Sequence, residues 1–325
     1  PTNTTVDLFF TNGGWKQIGS SQAISNSAWA LSGNSSTDTS IHFIGTKDNV
    51  PLLFKINNQR AGLIDRGDNT AFGYLAMPAT IIDASENTAI GAKALQSLKI
   101  GTKNTAVGVS AASSLKAGDN NVAIGQFALT SDSAGSESVA VGAYSLGLNQ
   151  NRIGNTAVGS FSLFNNTNPD LGVIAPTEGL HNTALGSYSL FNNRSGSGNI
   201  AIGYKAAYST QKNNGLIAIG RAALYNNNEA SDNVAIGDSS MYSTNGIVAS
   251  ANTALGTKTL LNNVEGQNNT AIGYEVLKSN LSDLNTAIGS FSLNSNTLGA
   301  ANTAMGNNAM ISNTVGNLNT AIGVQ

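Results

Sequence analysis

The 325-residue chain contains no cysteine, which excludes disulfides and thiolate metal sites. Charge is also scarce. Charged residues make up 10%, against roughly 25% in a typical soluble domain. The formal net charge of −2 leaves no electrostatic footprint for nucleic acid or an anionic membrane. No apolar run approaches the roughly 18 to 20 residues of a transmembrane helix. HExxH, GxSxG, P-loop, EF-hand and GGxGxD patterns do not occur. The histidines, His42 and His181, are isolated and read as surface residues rather than bases or metal ligands. Asp68 and Glu86 occupy one column of neighbouring repeats, but Lys103 follows them, so a solvated turn is the simpler reading than a carboxylate site. These absences point away from catalysis, and we expect no catalytic residue, metal or cofactor.

What fills the sequence instead is Asn, Ser, Thr and 36 Gly. Such a composition also suits disorder, yet 40% of residues are hydrophobic and they fall in register. The motif NTAIG and its variants recur 15 times, with the glycine at Gly73, Gly91, Gly108, Gly125, Gly142, Gly159, Gly186, Gly203, Gly220, Gly237, Gly256, Gly273, Gly289, Gly306 and Gly323. Ten of the 14 spacings are 17 residues; the others are 18, 27, 19 and 16. Two places before the glycine every copy has Ala, Ala201 and Ala271 among them. Three places before it every copy is Thr, Val or Ile. Four places before it 13 of 15 copies are Asn.

β-Branched residues in a short run closed by Gly predict a strand. The Ser/Ala–Leu pair that follows the glycine reads as a second short strand, with Asn/Gly-rich turns such as 192–198 and 226–232 between. Two strands and two turns in about 17 residues make one coil, and a coil buries its apolar face only by stacking on its neighbours. The expectation is an all-β parallel β-roll or solenoid of about 15 coils, roughly 70 Å long at the β spacing. Its Asn column would form a ladder of stacked amides.

Side chains alternate faces along a strand. Thr and Ile therefore share one face, and Ala and Gly (Ala201, Gly203, Ala271 and Gly273, for example) share the other. No copy places a charge in these columns, so both faces are expected to be covered. The favoured arrangement turns Ile into the coil and packs the Ala/Gly face against an identical chain. The competing one turns Ala and Gly inward and leaves Ile in an interchain seam.

The NTAIG and NVAIG copies resemble the head repeats of trimeric autotransporter adhesins, which carry N-S-V-A-I-G. The resemblance covers about residues 69–323. It implies a left-handed parallel β-roll and a homotrimer, intertwined or side by side, with longer turns here than in the family. Residues 1–64, with WALSGNSS, FIGTKDN and PLLFKINNQRAGLI, are similar to the β modules that precede such repeats in bacterial surface fibres and phage tail-fibre-like proteins. Strands are expected at 41–44, 52–56 and 61–64, with a turn at 57–59. The resulting division is an N-terminal cap or connector at 1–64 and a repeat region at 65–325, with an insertion at about 165–181. The last residue, Gln325, follows a repeat glycine closely and the first is not Met, so a longer natural chain is expected.

Function then reads as a non-enzymatic fibrous attachment or adhesion segment, an extracellular homotrimeric rod displaying loops to an unidentified cell-surface, glycan or protein receptor. It is expected at a cell surface or on a virion or tail-like particle, without nucleic acid and without membrane insertion. The alternative is a purely structural shaft of a phage or injection-machine fibre. An ice-binding solenoid is disfavoured because Val or Ile interrupts the Thr column at positions 122, 139, 200, 217 and 234. A carbohydrate-active enzyme lacks its clustered carboxylates. Candidate partner contacts are Asp170 and Glu178 in the insertion and the aromatic row Phe127, Tyr144, Phe161 and Tyr188, each two places after a repeat glycine.

Overall fold

The computed structural model describes residues 8–11, 14–17, 37–78, 82–167, 178–244 and 248–325. Every regular element among them is a β-strand. The chain forms two compact units, Pro1–Leu52 and Leu53–Gln325. In the first, β1 (Leu8–Thr11) pairs antiparallel with β2 (Gly14–Gln17). Residues 41–44 are not the expected strand. The Asp38 carbonyl accepts from the His42 N–H (2.8 Å) and the Asp38 carboxylate accepts from the Ser40 N–H (2.9 Å). A side chain that captures nearby backbone donors competes with strand pairing.

From Leu52 on, β3 (Leu52–Ile56) and β4 (Gln59–Ile64) match the expected strands. Asn57 and Asn58 between them have φ of 46° and 58°, the left-handed pair that a two-residue hairpin turn requires. Strand β4 pairs antiparallel with β5 (Thr70–Phe72), Leu63 opposite Ala71. This pairing covers the edge of the first coil, which would otherwise present unpaired backbone groups.

From β5 onward the unit is a parallel β-solenoid. One three-residue strand per repeat, from Thr70–Phe72 to Thr320–Ile322, pairs with the next in a single register: Ala71 opposite Ala89, Ala201 opposite Ala218, Ala304 opposite Ala321. Across the 27-residue spacing, Ala157 still faces Ala184, so the insertion leaves the ladder intact.

The favoured assignment of faces is reversed. The Ala of every strand from Ala71 to Ala304 is completely buried inside its own coil, Ala201 and Ala271 included. The Thr/Val and Ile columns point outward; Ile90 remains 45% exposed and Leu185 46%. The reason is volume. Four places after the glycine, from Met77 to Leu293, stands a fully buried Leu, Met or Ala, such as Leu95, Leu129, Leu163 or Leu190. Each such Leu contributes about 1.5–3 kcal/mol by burial, and beside it a narrow coil has room only for Ala.

The expected second strand after the glycine is absent. The residues two and four places on have positive φ throughout, for example Tyr144 (57°) and Leu146 (48°). Their N–H groups serve opposite neighbours: Tyr144 donates to Gln126 O in the preceding coil (2.9 Å) and Leu146 to Ser162 O in the following one (3.1 Å). This hydrogen-bonded turn satisfies the backbone without β geometry, and the many inter-coil bonds hold L-residues in a conformation that ordinarily costs about 1–2 kcal/mol each. A second strand pair does occur in the first coils, Asp83–Ser85 with Ile100–Thr102, but before the Asn rather than after the Gly.

Candidate functional site

The four aromatics of the predicted row do come together. Phe127, Tyr144, Phe161 and Tyr188 stack with centroid separations of 5.0, 4.9 and 5.3 Å. Beside them runs a second column that the sequence reading missed: Phe164, Phe191, Tyr208, Tyr225 and Tyr242, each five places after a repeat glycine. Its separations are 5.5, 5.2, 5.2 and 5.0 Å, with interplanar angles between 12° and 3°. The columns touch edge-on at Phe161–Phe164 (5.4 Å, 63°). Aligning the copies at that fifth position would have revealed it.

Stacking has a chemical consequence. Within a column each ring covers its neighbours' faces and offers mainly its edge to solvent. A sugar ring docks on an aromatic face, so the interior rings are poorly placed for that contact. Lys205 follows Tyr188 in the first column. Its Nζ lies 5.3, 5.5 and 5.9 Å from the Tyr204, Tyr208 and Tyr225 centroids, a cation–π arrangement. A hydrogen bond with the Tyr204 hydroxyl raises its ammonium above the usual lysine range.

Two polar columns run through the coils. In the predicted Asn ladder, Asn87, Asn104 and Asn121 each donate Nδ2 to the Oδ1 of the preceding Asn, at 2.9, 3.0 and 3.0 Å. Where Leu216 replaces Asn, its backbone N–H still donates to Asn199 Oδ1 (3.0 Å). The second ladder lies seven places after the glycine and includes Asn149, Asn166 and Asn193, linked at 2.7 and 3.1 Å. Its Asn193 and Asn227 Oδ1 atoms have no hydrogen-bond partner among the described residues. Each precedes a coil carrying Thr at that position, Thr210 or Thr244, whose side chain is too short to continue the ladder.

Two buried charges interrupt this pattern. Asp132 begins the second ladder after Leu98 and Leu115 and is fully buried. Its carboxylate accepts from Asn149 Nδ2 (2.5 Å) and from the backbone N–H of Gly135 (2.7 Å). Burial raises its pKa, and these bonds only partly oppose the shift. Arg152 is 3% exposed. Its guanidinium donates to the carbonyls of Glu178 (2.8 Å), Asn166 and Arg194 (3.0 Å). Asn166 and Glu178 flank the insertion, so Arg152 ties both of its stems to the coils. Glu178 thus lies at the insertion's base, while Asp170 lies outside the described residues. Burial lowers the Arg152 pKa, opposed by the charge of Glu178.

Asp132→Asn should stabilise the protein at neutral pH by about 0.5–2 kcal/mol. Asn263 shows the geometry available to it: Nδ2 donates to Gly266 O and Oδ1 accepts from Gly266 N. The sign follows from linkage. Native Asp132 keeps its proton to higher pH than the unfolded chain does, so its contribution is most favourable below the ordinary carboxylate range and is lost as pH rises through the raised native value. The advantage of the Asn variant should therefore grow with pH over that interval. Thermal melts of both proteins from pH 3 to neutrality check this; an advantage independent of pH rules out the carboxylate as its source.

Among the described residues, no group of three or more His, Asp or Glu could hold a metal, and no helix is long and apolar enough to cross a membrane. His181 is exposed at a left-handed turn position (φ 54°) shared by Asp68, Glu86 and Lys103, as expected for solvated turns. Comparison of the chain with protein-family models, curated proteins and solved structures finds no match.

Proposed function

We propose that this chain is a segment of a non-enzymatic fibrous attachment protein, an extracellular homotrimer built from three solenoids and displayed on a cell surface or a tail-like particle. The solenoid is compatible with a fibrous structural protein. The observation that carries the reading is the outward face of the strand ladder. Thr, Val and Ile columns run along 15 strands without one charge, and side chains such as Ile90, Ile124, Leu185 and Leu255 stay exposed. An apolar strip of this kind marks an interaction site. A second and third copy presenting the same strip would cover it by symmetry. The number three and the adhesive role come from the resemblance of the NTAIG copies to trimeric autotransporter adhesin heads.

Light scattering of the purified chain should give about three times the 33.2 kDa chain mass. Ile202→Asp combined with Ile219→Asp should yield folded monomers, because these outward side chains leave the coil interior untouched. A well-folded wild-type monomer at micromolar concentration overturns the assembly. Attachment is tested separately, by binding of the labelled native assembly to a panel of cells and immobilised glycans. Saturable binding supports an adhesin. No saturable binding favours the second reading, a structural shaft, which the mutually covered aromatic faces already support.

A further inference from the structure

We propose that Tyr208, Tyr225 and Tyr242 form an oxidative cross-linking site, at which a one-electron oxidant joins adjacent coils through dityrosine, with Tyr225–Tyr242 the preferred pair. The chain has eight tyrosines, but only these three form parallel stacks of tyrosine on tyrosine. Tyr208–Tyr225 are 5.2 Å apart at 7°, and Tyr225–Tyr242 5.0 Å apart at 3°. Tyr144 and Tyr188 are separated by Phe161 in their column. Tyr188 meets Tyr204 and Tyr208 at wide angles, 6.4 and 6.5 Å away. The more exposed tyrosines, Tyr74 (52%), Tyr204 (49%) and Tyr274 (42%), have no parallel tyrosine partner among the described residues.

The chemistry follows from that spacing. A haem peroxidase with hydrogen peroxide is a suitable oxidant. It removes one electron and one phenolic proton from each ring, giving two tyrosyl radicals and reducing one peroxide to two waters. The radicals couple through the ring carbons ortho to the oxygens. Each coupled carbon then loses its hydrogen as a proton while the oxygen regains one, which restores both phenols. The net change is one new carbon–carbon bond and the loss of two hydrogens.

Stacked, half-buried rings meet their neighbour before any other chain, so coupling within one molecule outpaces coupling between molecules. The earlier rings of the column, Phe164 and Phe191, carry no phenol and confine the chemistry to its tyrosine end. Tyr242 is the terminal ring, since the next coil supplies Leu261 at this position, so only one of its faces is held by another ring. Lys205 lies over Tyr208 and Tyr225. Its positive charge makes electron loss harder there than at Tyr242, one coil farther on. All three rings lie on the turn after the glycine, off the strand face proposed as the seam, so the site does not depend on the oligomer.

The test treats the dilute native assembly with peroxidase and hydrogen peroxide. Dityrosine fluorescence is read, and cross-links are mapped by mass spectrometry after cleavage at acidic residues; Glu229, Asp232 and Asp238 lie between Tyr225 and Tyr242 and separate them. The expected product is a Tyr225–Tyr242 link lighter by two hydrogens in a chain that still runs as a monomer on a denaturing gel. Tyr225→Phe keeps the ring stack but removes both pairs, so the intrachain signal should be lost, whereas Tyr74→Phe should retain it. Undiminished intrachain dityrosine in Tyr225→Phe, links confined to Tyr74, Tyr204 or Tyr274, or no dityrosine at all would overturn the proposal.

Discussion

Gly220→Ala should destabilise the solenoid by about 2–6 kcal/mol, the sum of backbone strain and steric overlap. Gly220 has φ of +133°, a region that only glycine occupies without strain. A Cβ there would sit 2.4 Å from the Gly237 carbonyl oxygen and 2.6 Å from its carbon. Backbone cannot move aside as a side-chain tip can, because the Gly237 N–H is itself bonded to Ile219 O (2.8 Å). Gly203 is in the same situation against Gly220. Gly323 supplies the control. Its φ is +138°, yet nothing lies within 4 Å of its Cβ position, so Gly323→Ala should carry only the strain. Denaturant melts of the two variants separate the terms; equal losses would mean that glycine-to-glycine contact between coils contributes nothing.

Arg152→Ala should be comparably damaging, at about 1.5–3 kcal/mol for each charge-assisted bond that water does not replace. The guanidinium bonds three backbone carbonyls, two at the stems of the insertion and one on the next coil, and its removal leaves buried acceptors beside a cavity. Arg152→Lys should recover only part of the loss, because an ammonium on a flexible stem lacks the planar fork that reaches several acceptors at once. Hydrogen exchange should show lower protection at Asn166–Thr167 and Glu178–Leu180 in the Ala variant than in the parent. Stability of the Lys variant equal to the parent would show that charge alone, rather than fork geometry, holds the insertion stems.

The period, the parallel strand at each NTAIG, the Asn ladder, the hairpin turn at Asn57–Asn58 and the single aromatic row were legible in the sequence. Each rests on one residue type recurring at one spacing. The second aromatic column and the second polar ladder were harder to see because their identities drift. The fifth position after the glycine passes from Phe164 to Tyr242 and then to Leu261. The seventh passes from Leu115 through Asp132 to Asn149, Thr210 and Asn313. Only stacking shows that these dissimilar residues share one environment. Arg152 was invisible for another reason. It stands where neighbouring coils have Gly135, Gly179 and Gly196, and its carbonyl partners are backbone atoms, which leave no mark in side-chain patterns.

The sequence by itself determined that each repeat makes a strand with two uncharged faces, since period-two alternation separates Thr and Ile from Ala and Gly. It could not decide which face is inside, because neither carries a charge and both can be buried. The tertiary structure decided that by volume: Leu95, Leu129, Leu163 and their counterparts fill each coil, leaving width for Ala alone, and the β-branched columns are driven outward. It also decided the form of the turn after each glycine. A Ser/Ala–Leu pair is compatible with a strand, but the bonds available above and below select left-handed residues at every second position, and those bonds exist only once the coils are stacked.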